Sequence, residues 1–157
     1  MKNYIVIFVI AIFLTSCATK SSFNSFYEEN KKQSDFSISS PAFFANLFIP
    51  KEDIQEYEDL FKKVRHYKVL IFSDASASLD DKFERFIKAK KYTSIFRISQ
   101  NGDKVQFYFL SKGAVIKEMI LKVSSDSDFV LVGLKTNILE SDFNSIIENS
   151  DVTVVSN

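Results

Sequence analysis

From Tyr92 onward apolar residues recur at every second position, and this change of period constrains the fold more than any other feature of the chain. Tyr92 to Ser99 reads as a strand, Asn101-Gly102 is a strong turn signal, and Val105, Phe107 and Phe109 then alternate with Lys104, Gln106 and Tyr108. Lys112-Gly113 marks the next turn. Beyond it Met119, Leu121 and Val123 alternate with Glu118, Ile120 and Lys122, and the polar loop Ser124 to Asp128 leads into Phe129 to Leu134. That last run is apolar on both faces, which predicts a central strand covered on one side by helices. Four consecutive strands joined by short turns predict an antiparallel meander. A parallel nucleotide-binding fold would need alternating crossovers, and the pattern holds none after residue 92.

Upstream the period is helical. Ile54, Tyr57, Phe61 and Val64 recur at spacings of three and four, with Glu52, Glu56, Glu58, Lys62 and Lys63 on the opposite side. Ser40-Pro41 suits the start of a shorter helix carrying Phe44, Leu47 and Phe48, closed by Ile49-Pro50. Phe36 to Ser39 and Tyr67 to Phe72 read as strands. Ser78, with Asp81 three residues on as in a capping box, opens a helix whose buried stripe is Leu79, Phe83, Phe86 and Ile87. Leu139, Phe143, Ile146 and Ile147 mark a last helix, and Val152 to Val155 a last short strand. The expected fold is therefore α+β: a largely antiparallel sheet, a meander of four strands plus one earlier strand, with helices packed on one face. Phenylalanines such as Phe61, Phe83, Phe107 and Phe129 supply its core, each worth about 1.5 to 3 kcal/mol when fully buried.

The N-terminus has a different character. Lys2 is followed by an almost unbroken apolar run from Tyr4 to Leu14, the charged tip and short hydrophobic stretch of a secretion signal. Leu14-Thr15-Ser16-Cys17 then resembles the lipobox of bacterial lipoprotein signal peptides, with Cys17 as acceptor. The resemblance implies cleavage before Cys17, diacylglyceryl on its sulfur and an acyl chain such as palmitate on its amine. Several chains on one residue give durable membrane anchoring, each buried methylene contributing about 0.8 kcal/mol.

The expected organisation is a signal peptide over 1–16, a lipidated N-terminus and polar tether over 17–35, and one domain over 36–157. Phe23, Phe26 and Tyr27 offer an alternative for the tether, namely docking onto the domain. Lys2 leaves with the leader, so the 20 basic side chains become 19 against 20 acidic ones, a balance that excludes steering toward nucleic acid. Cys17 is the single cysteine, so the domain has no disulfide, catalytic thiol or thiolate metal site.

Chemistry-bearing patterns are sparse. His66 is the single histidine, which argues against a catalytic zinc centre. A triad can be written from His66, Ser73 or Ser76, and Asp74, but no Gly-x-Ser-x-Gly elbow presents a nucleophile, and a polar residue at a helix-to-strand junction is the simpler reading of His66. Asp80-Asp81 fits helix capping, and Asp126 with Asp128 fits a solvated turn; neither has the spacing of a calcium loop. Lys88, Lys90 and Lys91 suit a helix C-terminus, with contact to anionic lipid or an acidic partner as the alternative.

The order of elements, the opening Phe26-Tyr27-Glu28-Glu29, Asp59-Leu60-Phe61-Lys62-Lys63-Val64-Arg65 leading into Val69-Leu70-Ile71-Phe72, and the run Phe129-Val130-Leu131-Val132-Gly133 together resemble the DUF4252 family, over roughly residues 36–148. The resemblance implies a small exported or lipid-anchored protein of Bacteroidetes-type bacteria and offers no catalytic residues. Ala18-Thr19-Lys20-Ser21-Ser22 lacks the acid-rich tag of many surface lipoproteins of such bacteria, which favours a domain facing the periplasm from the outer membrane. The functional expectation is a non-enzymatic, lipid-anchored envelope protein that contacts membrane lipid through Cys17 and an envelope protein through its domain, with no cofactor, metal or nucleic acid. Two alternatives stand beside it: binding of a small apolar molecule in an aromatic-lined groove between sheet and helices, and a hydrolase using His66 or a convergent carboxylate pair, with concavity around Phe43, Phe44, Phe48 and His66 as the feature that bears most on the choice.

Overall fold

The computed structural model describes residues 22–42, 62–73, 77–100 and 103–149. Within them the chain runs α1 (Ser22–Asn30), β1 (Phe36–Pro41), β2 (His66–Ser73), α2 (Ala77–Lys90), β3 (Thr93–Gln100), β4 (Asp103–Lys112), β5 (Val115–Ser124), β6 (Asp128–Leu139) and α3 (Glu140–Asn149). One six-stranded sheet has the order β1-β2-β6-β5-β4-β3. Every paired ladder in it is antiparallel.

The α+β class and the meander are as the periodicities predict, and both upstream stretches read as strands, Phe36 to Ser39 and Tyr67 to Phe72, lie in the sheet as β1 and β2. The expected helices around Phe44 and Ile54 to Val64, and the strand at Val152 to Val155, fall almost wholly outside the described residues. β2 and β3 point the same way from opposite parts of the sheet, so their connection needs a crossover, and α2 provides it. The meander then returns strand by strand until β6 fills the place beside β2. That central place explains why Phe129 to Leu134 is apolar on both faces.

The segment expected to be a tether over 17–35 is different from Ser22 on. Phe23, Phe26, Tyr27 and Asn30 stand at i, i+3, i+4 and i+7 and are all buried, which makes α1 an amphipathic helix and part of the domain. The docking alternative is the one realised, and its physical reason is aromatic burial that a solvated tether would forgo. Phe26 meets Phe83 edge-on at 5.4 Å and Phe86 at 5.1 Å, while Phe83 makes edge contacts with Tyr108 and Phe129. Phe83, Leu70, Ile120 and Leu131, all fully buried, complete this main core between the sheet, α1 and α2.

Gly133 explains how close α1 comes. A Cβ there would lie 2.1 Å from a ring carbon of Phe23, so the ring rests directly on the β6 backbone.

The opposite face of the sheet has its own core. Phe107 and Phe109, which alternate with Tyr108, meet Phe143 of α3 at 6.4 and 6.3 Å. Ile95, Ile116, Met119 and Ile138 join them. α1 and α2 therefore share one face and α3 covers part of the other. Leu139, expected on the buried stripe of that helix, instead ends β6 and is 48% exposed, because β6 runs five residues further than Leu134.

Candidate functional site

Two ladder irregularities coincide and shape the site. The β4–β5 register shifts between Leu110 and Ser111, and the β5–β6 register shifts between Ile116 and Glu118, where Ile116 faces Ile138 but Glu118 faces Lys135. Such bulges re-aim side chains and open a ladder locally. Thr136 closes part of the gap, its buried hydroxyl donating to the Ile116 carbonyl at 2.8 Å. The backbone before β2 lies alongside: the Arg65 amide donates to the Lys135 carbonyl at 2.7 Å, and the Asn137 amide to the Lys63 carbonyl at 3.2 Å.

The result is a cleft of about 870 Å³ lined by Arg65, Lys112, Lys117 and Lys135, with Ser22 also in the lining. Lys117 donates to the Asn137 side-chain carbonyl at 2.6 Å. Among the described residues no carboxylate pairs with any of these four cations. The Ser111 hydroxyl is buried in the wall with no partner among them.

Glu118 is the acidic residue of the lining, and both of its oxygens are already hydrogen-bonded. Its two oxygens accept from the backbone amides of Ser22 at 2.6 Å and Phe23 at 2.9 Å, and one also accepts from the Tyr92 hydroxyl at 2.7 Å. A strand carboxylate thus caps α1 across 96 residues of sequence, satisfying orphan amides at the positive end of the helix dipole. Burial, and then the neighbouring Glu118 charge, push the Tyr92 phenol far above its ordinary range, so Tyr92 stays a donor.

A second buried charge lies deeper on the same strand. Lys122 is 2% exposed, bonded to Asp80 and to Glu84 at 3.0 Å, and sits 5.5 Å from the ring centres of Phe83 and Phe129. Asp80 thus does more than begin α2. With Glu84 it fixes the rotation of that helix on the sheet.

The residues singled out from sequence do not converge. Cys17, Asp74 and Ser76, and the groove residues Phe43, Phe44 and Phe48, lie outside the described residues. His66 opens β2 and Ser73 closes it, seven residues on, so about 23 Å of strand separates the two and that version of the triad fails. The hydroxyl His66 does meet is Ser39 of the neighbouring strand, 2.8 Å from Nε2, and the Ser39 oxygen also accepts from Lys68 at 2.8 Å. Burial lowers the pKa of His66, with Lys68 and Lys135 adding to the effect. Asp126 and Asp128 are exposed in the β5–β6 turn.

Lys91 has φ 59°, at the end of α2. The Tyr92 amide reaches the Ile87 carbonyl and the Lys91 amide the Lys88 carbonyl, a Schellman termination that makes Lys91 structural.

Among the described residues no three His, Cys, Asp or Glu side chains group as a metal site, and no helix is long and apolar enough to cross a membrane. Sequence reasoning missed the basic cleft, because Arg65, Lys112, Lys117 and Lys135 form no run and meet only through two bulges. It also missed the stripe Phe23-Phe26-Tyr27-Asn30, whose helical spacing was available to find it.

No curated protein and no solved structure matches the chain. The family model described as "Domain of unknown function (DUF4252)" matches residues 27–146, a span that contains all six strands, most of the aromatic core and the four cleft cations, and the chain belongs to that family.

Proposed function

We propose that the chain is a non-enzymatic, lipid-anchored module of the cell envelope, attached through Cys17, facing the periplasm from the outer membrane, and engaging another envelope component. The observation that carries this reading is the start of α1. Ser22 follows Cys17 by five residues and is bound into the domain through Glu118. An anchor at Cys17 would hold the domain within about 18 Å of the membrane, the reach of five extended residues.

A non-enzymatic role draws support from His66. Its ring lies near Lys68 and Lys135, which disfavour an imidazolium, and the described residues place no carboxylate on it of the kind that supports the base of a catalytic triad.

Mass spectrometry of the mature N-terminus tests the anchor. A diacylglyceryl-modified Cys17, and release to the soluble fraction on Cys17→Ser, support it; an unmodified Cys17 in membranes overturns it. Proteinase treatment of intact cells tests the orientation, since rapid loss of the domain would place it outside. Crosslinking in native membranes tests the partner, and recovery of monomer alone counts against one.

The buried aromatic cluster favours a second reading, capture of a small apolar molecule between α1 and the sheet, where Phe23, Phe26, Phe83 and Tyr108 meet. Saturable binding of an apolar fluorophore, coupled to faster exchange of the α1 amides, supports this reading. Absence of saturable binding removes it.

A further inference from the structure

We propose that the cleft walled by Arg65, Lys112, Lys117 and Lys135 is a site for the phosphate-bearing headgroup of an anionic lipid in the membrane that holds the anchor. This rests on the anchored reading of the chain. Four basic residues line it although the whole protein has 20 basic and 20 acidic side chains, so the concentration is local. The cleft's own acid, Glu118, is buried and accepts three hydrogen bonds from Ser22, Phe23 and Tyr92, so one carboxylate stands against four cations and the lining keeps an excess of positive charge.

The chemistry suits phosphate. Arg65 contributes a planar guanidinium whose paired donors match phosphate oxygens, and the lysines contribute point charges around it. A volume of about 870 Å³ accommodates a headgroup rather than a bare ion. Ser22 is itself a lining residue, and it follows Cys17 by five residues, so an anchor at Cys17 would hold this part of the cleft within about 18 Å of the lipid surface.

The test places the full lipidated protein in nanodiscs of phosphatidylcholine, alone or with phosphatidic acid, and measures lysine acylation rates by mass spectrometry. Lys88 on α2 is the reference. Lys112, Lys117 and Lys135 are expected to label about tenfold more slowly with phosphatidic acid present, with Lys88 unchanged.

Arg65→Gln should remove most of that contrast. Where circular dichroism shows this variant unfolded, Lys112→Gln, at the exposed end of β4, is read at Lys117 and Lys135 instead. Equal labelling in both discs overturns the proposal. Protection by inorganic phosphate in neutral discs without protection by phosphatidic acid also overturns it, in favour of a free phosphate. The mass of the Cys17 peptide is read from the same samples: a bare Cys17 refutes the anchor, whereas a lipidated Cys17 with unchanged labelling refutes the cleft alone.

Discussion

The Tyr92 hydroxyl donates to the Glu118 carboxylate at 2.7 Å, and through that carboxylate the end of α2 is tied to the start of α1. Tyr92 is placed by the Schellman turn after α2, and Glu118 by the β5 bulge. The Phe23 amide and the Tyr92 hydroxyl are both buried and neither can rehydrate without undocking, so the arrangement is cooperative. Glu118→Ala orphans two backbone amides and a buried phenol, and is expected to cost about 3 kcal/mol in urea unfolding, against about 1 kcal/mol for Tyr92→Phe. Amide exchange of Phe23 and its neighbours should rise in the first variant far more than in the second.

Gly133→Ala directs a methyl group into the Phe23 ring, and neither the β6 backbone nor a ring packed on Phe26 has room to move. A loss of about 1 to 3 kcal/mol is expected from this overpacking. The double variant with Phe23→Leu should recover part of it, and strictly additive losses in a thermal-melt cycle would refute the contact.

Lys122 is buried, while Asp80 and Glu84 keep 48% and 32% side-chain exposure, so the two halves of the ion pair are not equivalent. Lys122→Met leaves carboxylates that water can reach, and should cost about 1 to 2 kcal/mol. Asp80→Asn with Glu84→Gln leaves a buried cation without a counter-charge, and should cost about 3 to 5 kcal/mol. Chemical denaturation of both variants checks the order, which equal exposure would erase.

Lys91 sits at φ 59°, in the left-handed region where a side chain is disfavoured and glycine is not. Lys91→Gly is expected to raise stability by about 0.5 to 1 kcal/mol, read as a higher melting temperature, because relief of strain outweighs the extra freedom of the unfolded chain.

His66 is held below its ordinary pKa by burial, with smaller contributions from Lys68 and Lys135. Between its unfolded and its lowered folded pKa the unfolded state binds more protons. The His66 contribution to stability is therefore complete above about pH 6.5 and is lost as pH falls through the folded pKa. Melting temperatures across pH 8 to about 5 should fall less for His66→Gln than for the native chain. Parallel curves would show that the imidazole is not involved.

The architecture was legible where local pattern and burial agree. Alternation from Tyr92 onward announced the meander, Lys112-Gly113 the turn that Gly113 makes at φ +61°, and the Leu79-Phe83-Phe86-Ile87 stripe the face of α2. The pattern misled where polarity is buried but satisfied. In β5 the odd positions Met119, Leu121 and Val123 look like the inward set, yet Glu118, Ile120 and Lys122 face the main core, because α1 supplies amides to Glu118 and α2 supplies carboxylates to Lys122. Ser22 to Asn30 read as tether because its polar residues outnumber its aromatic ones, although those few residues share one face.

The sequence by itself determined the α+β class and the order of the strands along the chain, since each depends on neighbours a few residues apart. Tertiary structure alone decided that α1 belongs to the domain, that two buried charges have partners, and that four cations dispersed between Arg65 and Lys135 share one cleft. The physical reason is that a charge is tolerated or concentrated according to what faces it across the fold, and those partners lie up to 96 residues away.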